Sequence, residues 1–164
     1  MRPSFGAAFF TSGILCSRSY TNAVAIKFHP KRGTLVVVDY ASGFKEPEMV
    51  GKRLAVVISP DIKNRPGLLT VVPLSLTAPK QVMPYHAEID IPFDLPKSWG
   101  NRPRWVKGDM VNTVGFHRAD LVRVGKSKAG KRQYLLKPLP DYILRVVQKC
   151  ALHGQGFSTL TKHL

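Results

Sequence analysis

Residues 33–40 read GTLVVVDY and residues 54–59 read LAVVIS, and these two stretches decide the fold class. Both are short, apolar and rich in β-branched valine, which is typical of buried strands. The second stretch ends in Ser59-Pro60-Asp61, a sequence that marks a turn. The fold is therefore predicted to be built on strands.

Five further runs of the same kind follow, and turn-forming residues separate them. They lie at residues 68–74, 86–91, 110–114, 121–124 and 133–136. Seven short strands with frequent turns predict an all-β barrel or sandwich. Pro73 lies inside one of these runs. Because proline cannot donate to a strand ladder, that strand is predicted to lie at an edge or a bulge.

A helical period replaces the strand period near the C-terminal end. Pro140 and Asp141 precede residues 142–153, where apolar side chains recur on one helical face, and Gly154 stands where a left-handed residue is expected to end the helix. The helix is predicted to pack on the sheet and to bury Cys150 as a small apolar residue. The predicted fold class is mainly β with a C-terminal helix.

The chain divides into three parts by composition. Residues 24–154 form one predicted domain, and residues 155–164 form a C-terminal tail that looks frayed. Residues 1–23 contain no acid and carry a weak apolar stretch. A disordered leader or a mis-assigned start is the favoured interpretation of them, while an ordered extension and an export signal stay open.

The charge of the chain points to an acidic partner. Its 164 residues include 25 Lys and Arg against 10 Asp and Glu, a net charge of +15, while 44% of them are hydrophobic. That composition indicates a folded basic domain rather than a disordered polycation. Nucleic acid, an anionic membrane or an acidic protein would each suit such a charge.

Several classes of function are disfavoured by what the sequence lacks. No apolar run reaches 18 residues, so no membrane-spanning helix is predicted. Two cysteines cannot form a thiolate zinc site, the five histidines do not pair at ligand spacing, and the ten acids are dispersed. We therefore expect no metal, no cofactor, no membrane association and a cytoplasmic location.

One segment combines aromatic and basic residues. Residues 97–107 read KSWGNRPRWVK, with both tryptophans, four positive charges and no acid. This composition suits single-stranded nucleic acid, because cations hold phosphate and indoles stack on exposed bases. Trp105, beside Val106, is expected to anchor the segment to the core. The residues expected to contact RNA are then Trp99, Arg102 and Arg104.

A second basic segment lies at residues 121–137, which carry six positive charges and no acid. It predicts either a further contact with a polyanion or simply the solvated face of a hairpin. The sequence favours neither interpretation over the other.

Four segments, in order, resemble the MazF/PemK/Kid family of toxin endoribonucleases. KRGTLVVVDY at 31–40 resembles the opening R-G-(D/E)-I/L-x-x-V-D strand of the family, and PEMVGKRLAVVISP at 47–60 resembles its E-Q-x-G-x-R-P-A-V-V-x-S-P. VVPLS at 71–75 is similar to V-V-P-x-T, and KGDMV at 107–111 to x-x-D-Q-V. The resemblance implies an SH3-like β-barrel and cleavage of RNA without a metal, giving a 2′,3′-cyclic phosphate and a 5′-hydroxyl.

The resemblance also implies a set of site residues. Arg53 is expected at the scissile phosphate, since an always-charged planar fork suits phosphate, and it would serve there in proton transfer or in charge stabilisation. Ser75 is expected to donate a hydrogen bond to the same phosphate, with Thr77 as its alternative. Asp109 is the candidate general base and Lys107 the candidate acid or electrostatic stabiliser. The full set of predicted RNA contacts, which includes those from the aromatic and basic segment, is Glu48, Trp99, Arg102, Arg104, Asn112 and Arg118.

The sequence departs from the family pattern at several of these places. Leu54 stands where the family has Pro, Ser75 where it has Thr, Lys107 where some members have Arg, and Met110 where it has Gln. The stretch from Pro79 to Trp105 is also longer than usual, which leaves the base preference open.

Three functions follow from these observations. The first is an endoribonuclease toxin of a toxin–antitoxin system, with single-stranded mRNA as substrate, an acidic antitoxin as partner and a homodimer as its assembly. The second is a toxin of the same fold that binds a protein target such as gyrase. The third is a non-catalytic SH3-like regulator that binds nucleic acid.

Overall fold

The computed structural model of the chain describes residues 26–164. The leader predicted at residues 1–23 lies outside the described residues. Within them the chain forms one α-helix and nine strands, and the elements follow one another in this order: β1 Leu35–Asp39, β2 Lys52–Val57, β3 Leu68–Ser75, β4 His86–Ile89, β5 Arg104–Lys107, β6 Asn112–Gly115, β7 Ala119–Leu121, β8 Arg123–Lys126, β9 Arg132–Tyr134 and α1 Asp141–Gly154. Short 3₁₀ helices lie at Gly108–Met110, Phe116–Arg118 and Ser158–His163.

Seven of the strands form one antiparallel sheet in the order β4-β5-β3-β2-β1-β7, and β6 pairs with β3 beside β5. Strands β4 and β7 are the two ends of this path, so the barrel is not closed. Strands β8 and β9 pair only with each other. The expected class, mainly β with a C-terminal helix, is confirmed.

Each face of the sheet carries an apolar cluster because alternate residues of a strand point to opposite faces. The first cluster lies between the sheet and α1, and it combines Leu54, Val56 and Val72 of the sheet with Val147 and Cys150 of the helix. The second cluster lies on the opposite face. Its members include Ile26, Val36, Val38, Tyr40, Ala55, Val57, Leu69, Val71 and Val114.

Strand β5 was not predicted, because the sequence suggested a loop there. Its residues alternate between buried and half-buried, as in a strand that pairs with β4 on one side and β3 on the other. Pro73 was predicted to lie at an edge or a bulge, and the edge is wrong, since β3 is a central strand. Pro73 is tolerated because β3 pairs with β6 up to Val71 and with β5 from Leu74. Its missing N–H therefore faces the gap between these two partners.

That gap is filled by the 3₁₀ turn Gly108–Met110, which joins β5 to β6 and packs against α1. A Cβ on Gly108 would overlap the carbonyl oxygen of Cys150, and a Cβ on Gly154 would overlap the carbonyl oxygen of Gly108. Glycine at both positions is what lets the last turn of α1 lie directly on the 3₁₀ turn. The left-handed conformation expected of Gly154 was wrong, because this glycine is the last helical residue and is required by the close contact instead. Cys150 is buried on the inner face of the helix, as predicted.

The tail is more ordered than the sequence suggested. Residues 158–163 form a 3₁₀ helix that packs back on α1, and the side chain of His153 lies 2.9 Å from the hydroxyl of Ser158. Among the described residues no helix is both long and apolar enough to cross a membrane.

Candidate RNA-cleavage site

One row of side chains crosses four strands of the sheet. Ala55 of β2 pairs with Pro73 of β3, and continuing this register by two residues places Arg53 opposite Ser75. Ser75 pairs with Trp105 of β5, which in turn pairs with Glu88 of β4. Because neighbouring strands lie about 4.8 Å apart, the row from Arg53 to Glu88 spans roughly 15 Å. We call these four residues the polar row.

The polar row lies on the face of the second apolar cluster, where that cluster ends. Arg53 shares its side of β2 with the buried Ala55 and Val57, and Ser75 shares its side of β3 with Val71. Arg53 and Glu88 are exposed, whereas Ser75 and Trp105 are half-buried. The sheet therefore presents a cation, a hydroxyl and an aromatic ring side by side at the border of its apolar surface.

The hydroxyl of Ser75 is held by a backbone group just beyond the end of β3. Its Oγ accepts a hydrogen bond from the backbone N–H of Thr77 at 3.0 Å. This contact uses a lone pair and leaves the hydroxyl proton free to be donated. Ser75 can therefore donate to a phosphate oxygen in front of the sheet. Thr77 is exposed just beyond the strand, and it contributes here through its backbone.

A second group of polar side chains lies one step along β5, on the same face. Lys107 pairs with His86 of β4, and Asp109 projects from the 3₁₀ turn that follows Lys107. The Nε2 atom of His86 lies 3.6 Å from Oδ1 of Asp109. The structure thus brings together Lys107 and Asp109, which sequence reasoning named, with His86, which it missed.

His86 is held in one orientation by its neighbours. Its Nδ1 accepts from the backbone N–H of Met83 at 3.3 Å, so we assign the proton of the neutral ring to Nε2, facing Asp109. The ring of Tyr85 packs edge-on against it, with the two centroids 4.5 Å apart. The only sequence signal for His86 is the alternation HAEI, which puts it on the same face as Glu88.

Burial changes the pKa values of His86 and Lys107. Burial lowers the pKa of His86 and the charge of Lys107 lowers it further, although the Asp109 carboxylate opposes both effects. Burial also lowers the pKa of Lys107, again against the effect of Asp109. His86 is therefore neutral at pH 7, and the Lys107 ammonium gives up its proton more readily than a solvated lysine would.

The aromatic and basic segment is arranged differently from what its composition suggested. Arg104 is only 2% exposed, lies on the opposite face from Ser75, and its guanidinium donates to the carbonyl oxygens of Trp99 and Gly100. The RNA contact assigned to Arg104 is corrected accordingly, because this side chain fastens the loop from within. Arg102 is exposed on the same loop.

The roles expected of the two tryptophans are reversed. Trp99 is half-buried and packs against the first apolar cluster, so it anchors the loop. Trp105 belongs to neither cluster and stands half-buried in the polar row between Ser75 and Glu88. Strand alternation decides this, because Trp105 and the buried Val106 must point to opposite faces.

Three further residues assigned to RNA contacts have partners within the fold. Arg118 donates to the carbonyl oxygen of Ser42 at 2.5 Å, and its guanidinium lies 5.4 Å from the ring centroid of Phe44. Two others hold local turns: Glu48 accepts from the backbone N–H of Lys45 at 3.0 Å, and Asn112 donates to the carbonyl oxygen of Met110 at 2.8 Å. In the structure these three side chains stabilise loops around the site rather than joining the polar row.

Within residues 26–164 no group of three His, Cys, Asp or Glu side chains is placed to hold a metal ion. The site consists of Arg53, Ser75, Trp105 and Glu88, with Lys107, His86 and Asp109 beside them. Cations and a hydroxyl donor can stabilise negative charge on a phosphate ester, and a carboxylate can accept a proton, so these groups can serve phosphate-ester chemistry without a metal.

Solved structures of other proteins are similar to this chain. MazF from Deinococcus radiodurans is similar with a TM-score of 0.52 and 20% identity, covering 77% of this chain and 96% of that one. A MazE–MazF complex from the same organism matches with a TM-score of 0.47 and 22% identity, covering 79% and 97%. An endoribonuclease in complex with its cognate antitoxin from a mycobacterial species has a TM-score of 0.48 and 16% identity, covering 78% and 96%.

No curated protein matches the chain in sequence. The family described as PemK-like, MazF-like toxin of type II toxin–antitoxin system matches residues 31–138, which is well over half of the chain. This range contains every strand found in residues 26–164 and all seven residues of the candidate site. The chain thus belongs to the family of PemK-like, MazF-like toxins of type II toxin–antitoxin systems.

Proposed function

We propose that the protein is an endoribonuclease that cleaves single-stranded RNA by attack of the 2′-hydroxyl, without a metal ion. The observation that supports this most is the placement of Arg53 and Ser75 on adjacent strands, with Lys107 on the same face and Asp109 3.6 Å from the His86 ring that pairs with Lys107. The family match adds that the chain is a toxin, and relatives of the same fold are named as endoribonucleases.

The reaction needs two proton transfers and one site for negative charge. Asp109 takes the proton of the 2′-hydroxyl, the 2′-oxygen attacks phosphorus, and the bond to the 5′-oxygen breaks. Lys107 gives a proton to the departing 5′-oxygen, so the products are a 2′,3′-cyclic phosphate and a 5′-hydroxyl. Arg53 and Ser75 bind the phosphate oxygens, on which charge builds up in the transition state.

Trp105 and Arg102 are proposed to hold the RNA rather than to act on it. Trp105 stands beside Ser75, so a base next to the scissile phosphate can stack on its half-buried ring. Arg102 is exposed on the loop before β5, where it can neutralise a neighbouring phosphate.

The proposed assembly is a homodimer that an acidic antitoxin segment inhibits in the cytoplasm. The net charge of +15 attracts such a segment to the surface that also binds RNA, and the attraction weakens with salt. A protein that is strictly monomeric at micromolar concentration would contradict the dimer.

The test is single-turnover cleavage of a long RNA by the wild type, by Arg53→Ala and by Arg65→Ala, each with and without EDTA. Arg65 is an exposed arginine in the turn before β3, so it is a matched control for the lost charge. We expect the wild type and Arg65→Ala to cleave equally in EDTA, with cyclic-phosphate ends, and Arg53→Ala to cleave at least ~100-fold more slowly. Equal cleavage by Arg53→Ala, or cleavage only with added metal, would contradict the mechanism.

A further inference from the structure

The hairpin of β8 and β9 stands apart from the main sheet. Its two strands pair only with each other, and the chain enters it from β7, the end strand of the sheet. β7 begins at Ala119, which pairs with Val38, and Val38 in turn pairs with Arg53 of the polar row. β7 ends at Leu121, which pairs with Val36, two residues farther from that row. The chain therefore enters the hairpin while running away from the polar row. We call residues 123–134 the basic arm.

The basic arm concentrates exposed positive charge. All five of its cations are exposed, and none lies within 4 Å of a carboxylate in the described part of the chain. They are Arg123, Lys126, Lys128, Lys131 and Arg132. No acid occurs between Asp120 and Asp141, so nothing in the neighbouring sequence neutralises them.

The arrangement of these charges within the hairpin is unfavourable for the isolated protein. Lys126 pairs directly with Arg132 across the two strands, and like charges in that position destabilise a strand pair. The turn between them is nevertheless ordered, since the N–H of Ser127 donates to the carbonyl oxygen of Lys131 at 2.7 Å. A hairpin that holds like charges together in a defined geometry is suited to a polyanion that relieves their repulsion.

We infer that the basic arm is a second binding surface for RNA, separate from the cleavage site. It binds phosphates of the RNA that lie away from the phosphate that is cleaved. RNA is favoured as the ligand because Arg123 pairs with the half-buried Tyr134, so that a cation and an aromatic ring lie side by side. The inference rests on the proposed function for its choice of substrate. The arm would increase affinity for long RNA without taking part in the reaction.

The test compares two triple variants that each lose two lysines and one arginine. The arm variant is Lys126→Gln, Lys131→Gln, Arg132→Gln, and the matched control is Lys27→Gln, Lys63→Gln, Arg65→Gln, at exposed positions in the described loops. Three lost contacts should flatten the log–log salt dependence of binding to long RNA by about 2 in the arm variant. The control should keep the wild-type slope. Both triple variants should cleave a short RNA that reaches only the cleavage site at the wild-type rate.

Equal affinities of the two variants for long RNA would overturn the role of the arm. The same conclusion would follow if the arm variant lost binding only to poly-glutamate, since the arm would then serve an acidic protein. Failure of the proposed function looks different: the wild type would cleave no RNA, while the arm variant would still bind RNA more weakly than its control.

A separate observation, the contact between His86 and Asp109, carries a second inference. We propose that His86 is a positioning residue that orients the Asp109 carboxylate toward the 2′-hydroxyl. Its side chain is 8% exposed against 35% for Asp109, so the carboxylate is open to RNA while the imidazole supports it from behind. Lys107 is the other charged group beside the ring. This role likewise depends on the proposed function.

The role of His86 is tested with three variants. His86→Ala removes the N–H that faces Asp109, whereas His86→Gln keeps an amide N–H in about the same place. His29→Ala is the matched control, because His29 is also half-buried with two ring contacts, to the Pro30 carbonyl and the Ser59 hydroxyl. We expect His86→Ala to lower the single-turnover rate at saturating RNA by about 10-fold or more, with RNA affinity unchanged.

His86→Gln should recover most of the rate, and His29→Ala should cleave like the wild type even where its melting temperature falls. A rate for His86→Gln as low as that of His86→Ala would overturn the positioning role, and so would a wild-type rate for His86→Ala. A wild type that cleaves nothing would overturn the proposed function and this role with it.

Discussion

Gly154 and Gly108 meet so closely that a Cβ on Gly154 would overlap the carbonyl oxygen of Gly108. The contact joins the last turn of α1 to the 3₁₀ turn that carries Asp109. The helix at the end of the chain therefore supports a candidate catalytic carboxylate from behind. Residues at the two ends of this contact are far apart in sequence, so it depends entirely on the tertiary structure.

Gly154→Ala is expected to separate α1 from the 3₁₀ turn. Backbone rather than a flexible side chain lies in the way, so the free energy of unfolding should fall by about 2 kcal/mol or more. Gly125→Ala is the control, because a Cβ there meets no atom and the backbone is not in the left-handed region. Chemical denaturation of both variants checks this, and equal midpoints would contradict the close contact.

Arg53→Ala is expected to lower single-turnover cleavage by at least ~100-fold with little loss of RNA affinity, because its charge matters most in the transition state. Ser75→Ala should lower the cleavage rate by a smaller factor, since one neutral hydrogen bond is weaker than a charged fork.

Arg102→Ala should weaken RNA binding, while the cleavage rate at saturating RNA stays at the wild-type value. Separate measurement of rate and affinity for each variant decides between the two patterns.

Arg104→Ala should destabilise the protein rather than weaken RNA binding directly. Its buried guanidinium holds the carbonyl oxygens of Trp99 and Gly100, and removing it leaves both without that donor. We expect a loss of about 2 kcal/mol in the free energy of unfolding. Arg102→Ala is the control, since Arg102 is exposed on the same loop. An Arg104→Ala protein as stable as the Arg102→Ala protein would contradict this anchoring role.

The thiol of Cys150 should make stability fall at high pH. Burial raises its pKa from 9.0 to about 11, so the folded protein keeps a proton that the unfolded chain releases. Stability is therefore lost as pH rises above about 9 toward 11. Burial also raises the pKa of Tyr40, which acts in the same direction. Comparing the wild type with Cys150→Ala at several pH values isolates the thiol, and parallel curves would contradict the effect.

A chain that begins at Val24 should fold with an unchanged melting temperature. Residues 1–23 carry no strand pattern that the sheet needs. Ile26, by contrast, is buried in the second apolar cluster, and its N–H donates to the carbonyl oxygen of Ala119 at 3.3 Å. Ile26→Ala should therefore cost about 2–4 kcal/mol. A loss of that size on trimming at Val24 would show that the leader packs on the domain.

The strands of the core could be predicted because their signal is local. β1, β2 and β3 are runs of β-branched and apolar residues, and α1 shows a helical period with Pro140 before it. β5 could not be predicted in this way. Its four residues mix two cations with Trp105 and Val106, and only the two neighbouring strands make them a strand.

The sequence by itself determined the strand-rich class, the C-terminal helix and the basic character, and its resemblance to a family named Arg53, Ser75, Lys107 and Asp109 as candidate site residues. Only the tertiary structure decided which side chains share a face. Strand register sets Trp105 beside Ser75 and turns Arg104 to the opposite side, and the pairing of β4 with β5 brings His86 to Asp109. The physical reason is that the local sequence pattern indicates only whether a segment is a strand or a helix. Pairing between strands distant in sequence fixes which side chains become neighbours and which face of the sheet each one occupies.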